Sequence, residues 1–110
     1  MTGMAADAIG PVFAALADPT RRHVVETLVR EGSTSVPALN AALPISRQAI
    51  AKHLAALGDA GLIERAPADG GREVRYRLRP GALRPASAWL DETAAAWDER
   101  LLRLKSAVER

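Results

Sequence analysis

VPALNAALPISRQAIAKHLAALGDAGLIER, residues 36–65, is the stretch on which the fold turns. Val36–Ala42 reads as a short helix with Pro37 in its first turn and Leu39 and Leu43 facing inward. Leu43-Pro44-Ile45 breaks it, and Ser46 is placed to cap a second helix, Arg47–Ala60, that stops at Gly61. The apolar face of that second helix is Ile50, Leu54 and Leu57. A short helix, a three-residue turn and a Ser-capped second helix have the layout of a helix-turn-helix. Gln48, Ala51, Lys52, Ala55 and Asp59 then point outward, with Arg47 at the N-terminal edge. Gln pairs bidentately with adenine, and Arg or Lys with guanine, in a DNA major groove. Ala51 and Ala55 are small enough for close approach, and the amides at the Ser46 cap suit a phosphate. A solvated polar face on a core helix has the same pattern, so the flanking segments decide.

Downstream the period changes to two. Leu62-Ile63-Glu64-Arg65 starts a strand, Asp69-Gly70-Gly71 is a turn signal, and Glu73–Leu78 alternates with Val74, Tyr76 and Leu78 on one face. Pro67 marks the first strand as an edge or loop, and Pro80-Gly81 ends the hairpin. Residues 61–80 hold three acids and five arginines, whereas the other segments balance, so the net charge of +2 resides here. An arginine-bearing hairpin directly after a helix-turn-helix is a wing.

Upstream, residues 1–8 look like a loose tail and Ile9–Ala17 like a short amphipathic helix carrying Val12 and Phe13. Asp18-Pro19 is an N-cap followed by Pro at the first helical position. The helix it opens presents Val24, Val25, Leu28 and Val29 on one side and closes at Gly32. Thr34 or Ser35 caps the short helix. At the other end, Ala82–Glu109 reads as the longest helix, with Pro85 confined to its first turn. Leu90, Ala94, Trp97, Leu101, Leu104 and Val108 form a heptad seam along it. The seam is too long for so small a domain to cover, and Val12 and Phe13 are its natural companions in a two-fold interface.

The composition narrows the function classes. The chain has 110 residues, 48% of them hydrophobic and 25% charged, enough for one domain. No apolar run approaches the ~20 residues of a membrane span, and the N-terminus carries no signal-peptide pattern, so a soluble cytoplasmic protein is expected. There is no Cys and there are only two His. Disulfides, thiolate chemistry and Cys-ligated zinc are therefore excluded. Ser46 and His53 lie seven apart on one helix with the serine turned toward amides, which makes a poor catalytic pair; no enzyme is expected. His53, at the edge of the apolar face, reads as a partly buried structural residue, with a phosphate contact as the sharper alternative. His23 reads as solvated or capping. Arg21 and Arg22 either touch DNA or tie helices together.

Taken together, FAALADPTRRHVVETL (Phe13–Leu28), ISRQAIAKHLAALGDAGLIER (Ile45–Arg65) and GREVRYRL (Gly71–Leu78) resemble the ArsR family of winged-helix transcriptional repressors. The terminal WDERLLRLK (Trp97–Lys105) is similar to the family's metal-independent branch. The resemblance implies a mainly α fold with a small β-hairpin, a winged helix-turn-helix with N- and C-terminal dimerisation helices. It implies one domain over 1–110, with a flexible tail at about 1–8 and a dimerisation helix at about 82–109. It implies a homodimer that represses from a palindromic operator on double-stranded DNA, with Arg47, Gln48, Ala51 and Lys52 at the bases; the helix cap adds Ser46, and the wing adds Arg72 and Arg75, to the expected DNA surface. The dimer interface expected is Val12, Phe13, Leu90, Trp97, Leu101, Leu104 and Val108. The family's metal sensors use Cys in the recognition helix, or His and carboxylates on the terminal helix. Here Asp91, Glu92, Asp98 and Glu99 stand without a His, a poor set for zinc or softer metals. No metal, cofactor or membrane partner is expected, and the inducer is unspecified. The rival reading is a protein-interaction module in which the terminal helix binds a foreign helix and the winged helix is scaffold.

Overall fold

The computed structural model describes residues 2–67 and 71–109, with side chains from Ala8 onward. The order is α1 (Thr2–Leu16), α2 (Pro19–Glu31), α3 (Val36–Ala42), α4 (Arg47–Asp59), β1 (Ile63–Arg65), β2 (Tyr76–Leu78) and α5 (Arg84–Val108). Three side-chain caps open α2, α3 and α4. Asp18 accepts from the Arg21 N–H at 3.0 Å, Ser35 from Ala38 at 3.2 Å and Ser46 from Ala49 at 3.1 Å. Each satisfies a backbone donor that the first turn of a helix leaves orphaned. Gly32 closes α2 at φ 85°, a conformation that side chains disfavour, and its N–H donates to the Leu28 carbonyl.

Helices α1 to α4 enclose the core, in which Val24, Leu39, Ile50, Leu57 and Leu62 are all but inaccessible. The strands pair antiparallel with Ile63 opposite Leu78, Glu64 opposite Arg77 and Arg65 opposite Tyr76. Thr34 adds a bridge on the other side of β2, exchanging both backbone hydrogen bonds with Tyr76 at 3.0 and 2.8 Å. Buried Thr34 is thus occupied by the sheet, which leaves the α3 cap to Ser35.

Several expectations are corrected. Residues 2–8, expected as a tail, belong to α1; Ala5, Ala6 and Ala8 favour helix, and Pro11 is carried inside it. Val12, expected at a dimer interface, is buried in the chain's own core. Val29 is 67% exposed, because it lies about 100° round α2 from Leu28. The second strand starts at Tyr76, not Glu73, and Val74 is 46% exposed, outside the paired register. Of the expected hairpin turn, Asp69 and Gly70 lie outside the described residues.

Helix α5 leaves the body. Its first turn packs Ala86 into the core, and Trp89 meets Phe13 of α1 edge-to-face at 5.8 Å and 68°. Beyond that its side chains are exposed. The radius of gyration is 18.6 Å, against about 13 Å for a compact chain of this length.

Candidate nucleic-acid interface

The turn between α3 and α4 is stitched by a residue that sequence reasoning missed. Asn40 donates from Nδ2 to the Ile45 carbonyl at 2.9 Å, and its Oδ1 accepts from Arg47 Nε at 3.4 Å. One side chain on α3 thereby holds the turn and orients the first residue of α4. Ile50, Leu54 and Leu57 then lock the inner face. Ser46, Arg47, Gln48, Ala51, Lys52 and Ala55 are all exposed, as the helical wheel places them. Ser46 Oγ is engaged with the Ala49 N–H and its carbonyl with that of Ile50, which leaves the Arg47 and Gln48 amides of the first turn unclaimed by that cap.

The rear of α4 is tied to α1 and α2. His53 Nδ1 lies 3.5 Å from Arg21 Nη1 and 3.8 Å from Asp18 Oδ2. Arg21 also donates to the Ala15 and Ala14 carbonyls at 2.6 and 3.3 Å, and Arg22 to those of Leu16 and Ala17 at 2.7 and 3.0 Å. Both guanidiniums thus close the last turn of α1, whose carbonyls have no intrahelical donor. They tie helices together through carbonyls, not through the ion pairs one would first look for. The Arg21 N–H bond holds the Asp18 carboxyl below its ordinary range, against a partial desolvation that raises it, with His53 and the Arg21 charge adding to the lowering. Ser46 thus caps the start of α4, and His53 ties its middle to the start of α2.

The wing separates its arginines into two groups. Arg77 pairs with Glu64 across the strands at 2.8 Å, and Arg79 approaches the same carboxylate at 3.6 Å. Arg75 turns inward: Nε donates to Ser33 Oγ at 2.9 Å, Nη2 to the Ser33 carbonyl at 3.2 Å and Nη1 to Glu73 at 2.8 Å. Glu73 in turn accepts from Ser35, the α3 cap. The wing base is therefore bolted to the start of α3. Arg65 and Arg72 make no hydrogen bond or ion pair among the described residues. Arg65, absent from the expected site, is the connecting element. It borders a cleft shared with Ala51, Ala55, Gly58 and Tyr76, and also a concavity shared with Arg72, Arg75 and Ser33. Arg65 thus stands between the cleft beside α4 and the wing concavity that Arg72 lines.

On α5, Leu90, Trp97, Leu101, Leu104 and Val108 are exposed, while Phe13 is partly covered by Trp89. No helix among the described residues is long and apolar enough to cross a membrane. Among those residues no three His, Cys, Asp or Glu side chains gather as a metal-holding group.

Residues 16–66 match the family described as a helix-turn-helix domain. Over 104 residues the chain is 38% identical to the arsenic resistance transcriptional regulator ArsR1 of Pseudomonas putida, covering 90% of this chain and 79% of the relative. Among solved structures it is similar to an ArsR-like transcriptional regulator from Rhodococcus sp. RHA1, with a TM-score of 0.81 and 41% identity over 99% of this chain and 96% of that one. It also resembles the homodimeric winged helix-turn-helix DNA-binding domain of Mb0332 from Mycobacterium bovis, a possible ArsR-family regulator. That likeness has a TM-score of 0.62 and 26% identity, covering 81% of this chain and 80% of that one.

Proposed function

The chain belongs to the ArsR family of winged helix-turn-helix transcriptional regulators, a DNA-binding family, and we propose that it is a homodimeric repressor acting on a palindromic operator without a metal signal. The observation that carries this reading is the outer face of α4, where Gln48, Ala51 and Lys52 stand exposed and Ala51 shares a cleft with Arg65, which, like Arg72, has no ion pair among the described residues. In the complex α4 lies in the major groove. Gln48 and Lys52 read base edges, with Arg47 at the helix start. Ala51 allows close approach, and the Ser46 end of the helix meets a phosphate. Arg72, with Arg65, neutralises backbone phosphate beside the groove, fixing register without reading sequence. Arg75, expected at the DNA, is assigned instead to holding the wing on α3.

Residues 1–110 act as one winged-helix unit, with α5 as the dimerisation helix. Phe13, Leu90, Trp97, Leu101, Leu104 and Val108 form the interface. The homodimeric state of the Mycobacterium bovis neighbour supports the assembly. Two α4 helices related by a two-fold axis can enter successive major grooves about 34 Å apart. Metal independence is supported by the donor set: with no Cys in the chain, neither protomer can offer a thiolate. The repressor works by occupancy, and no catalytic step is assigned to it.

Selection of bound duplexes from a random pool tests the reading. A palindrome with half-sites one helical turn apart is expected, and zinc, cadmium or arsenite at stoichiometric amounts should leave the complex intact. Enrichment of no duplex would favour the interaction-module alternative, in which α5 alone is functional. Stoichiometric release by a metal would overturn metal independence.

A further inference from the structure

We propose that Glu73 is a positioning residue for DNA binding, an acid that supports contact with a polyanion by fixing the wing to α3. The inference rests on the DNA reading of α4 and the wing, and deepens it. The two carboxylate oxygens of Glu73 serve different elements. Oε1 accepts from Ser35 Oγ at 3.1 Å, and Oε2 accepts from Arg75 Nη1 at 2.8 Å. Ser35 is wholly inaccessible and already accepts the Ala38 N–H at the start of α3. A hydroxyl has one proton to donate, and Ser35 spends it on Glu73. Arg75 is held on its other edge by Ser33, at Oγ and at the carbonyl. The carboxylate therefore closes a circuit between wing and α3 through side chains 38 and 42 residues apart in sequence.

Charge alone argues against an acid in this place. Glu73 lines the wing concavity with Arg65, Arg72 and Arg75, and follows Arg72 in the chain. Duplex affinity comes largely from cations set against phosphates, with counterions released in exchange. A carboxylate here opposes the phosphates and cancels Arg75. As an ion pair it contributes little, because the side chains of Glu73 and Arg75 are 45% and 39% exposed. What it supplies is geometry. Arg72 is its immediate neighbour, and Arg65 pairs with Tyr76, whose other side is bridged to Thr34. With Glu73 engaged at both oxygens the wing meets the duplex already in place, so less ordering entropy is lost on binding.

Helix α3 connects this circuit to α4. At its start Ser35 receives the wing through Glu73, and near its end Asn40 holds the Ile45 carbonyl and Arg47. The helix is seven residues long, about 10 Å. Both DNA-facing elements thus hang on one short piece, which sets the spacing between them. Disturbing the Glu73 end costs phosphate contact, which is felt on any sequence, whereas discrimination stays with the face of α4.

Titration of Glu73→Ala and Glu73→Gln on the selected operator and on a random duplex, over a range of salt, tests the proposal. Glu73→Ala should weaken binding to both duplexes about three- to tenfold, with the preference between them and the salt slope unchanged. Glu73→Gln removes the same charge but keeps an oxygen for Ser35, so it should lose less. Combining Glu73→Ala with Arg75→Ala should cost no more than the worse single change, because both break one connection. The free chain gives an independent arm: Glu73→Ala should stay folded, since the side chain lies outside the core, and should exchange the Thr34 and Tyr76 amides faster. Tighter binding with a steeper slope, equal effects of the two Glu73 variants, additive losses in the double variant or unchanged amide exchange would each overturn the proposal while leaving the DNA reading standing. A parent chain that binds no duplex would overturn both.

Discussion

Helices α4 and α5 carry the same kind of apolar stripe and meet opposite fates. On α4 the stripe is covered by the chain itself, and Leu57 is wholly inaccessible; on α5 Trp97 is 56% exposed. The polar faces reverse the roles. That of α4 is small and sparsely charged, held from behind by Arg21, His53 and Asp18. That of α5 carries self-contained pairs such as Arg103 with Glu99 at 3.1 Å. The contrast teaches that periodicity alone says a face is to be buried, and the surrounding chain decides by what. For α4 the buried face makes the fold and the free face is the one we propose reads DNA. For α5 the free apolar face is the one we propose a second copy covers.

The sharpest way to break the comparison is to damage each stripe. Leu57→Ala should destabilise the folded chain by about 2–5 kcal/mol, as large-to-small core changes do. Leu101→Glu with Leu104→Glu should leave folding nearly intact yet give monomers by sedimentation. Those monomers should lose operator affinity by about 10²–10⁴-fold, because the second half-site no longer benefits from effective concentration. Comparable folding losses in both variants would erase the distinction.

A smaller effect separates Arg65 and Arg72, without ion pairs among the described residues, from the paired wing arginines. Arg72→Ala and Arg65→Ala should weaken specific and random duplexes alike and reduce the salt slope by about one for each phosphate no longer neutralised. Arg75→Ala should leave that slope unchanged and instead loosen the wing, seen as faster amide exchange at Thr34 and Tyr76. A changed salt slope for Arg75→Ala would return it to the DNA surface.

Asn40→Ala removes the stitch between α3 and α4. It should cost about 1 kcal/mol of stability, the usual net value of such a hydrogen bond, measured by urea denaturation. Smallest is the pH response of the α2 cap. The Asp18 carboxyl titrates below its ordinary value because the ionised form accepts the Arg21 N–H. Its contribution is therefore complete above the ordinary value near 3.9 and is lost as the pH falls through the lowered one. Thermal midpoints between pH 5 and 2 should fall less steeply in Asp18→Asn than in the parent.

Much of the helix-turn-helix half is legible in the sequence because it is built from local signals. Ser46, Pro19, Gly32 and the four-three spacing of Ile50, Leu54 and Leu57 act within a turn or two of helix. The wing is less legible because its arginines are sorted by distant partners. Arg77 finds Glu64 only through the strand register, and Arg75 finds Ser33 across 42 residues of sequence. Thr34 gives no strand signal because a single bridge leaves no alternating pattern. Val12 misleads because α1 packs on more than one side, and the pattern cannot say which side faces the core. Asn40 gives no signal, since a polar residue late in a short helix is commonplace. Arg65 reads as one more strand arginine until the cleft beside Ala51 and Ala55 is seen.

The central claim is that the exposed face of α4 carries sequence recognition on a scaffold fixed elsewhere. Equilibrium titration of the Gln48→Ala/Lys52→Ala chain against the selected operator and a random duplex, at one salt concentration, tests it most directly. The account predicts a folded dimer that loses about 1–3 kcal/mol of operator preference per base contact while still binding the random duplex. An unchanged preference for the operator would contradict it.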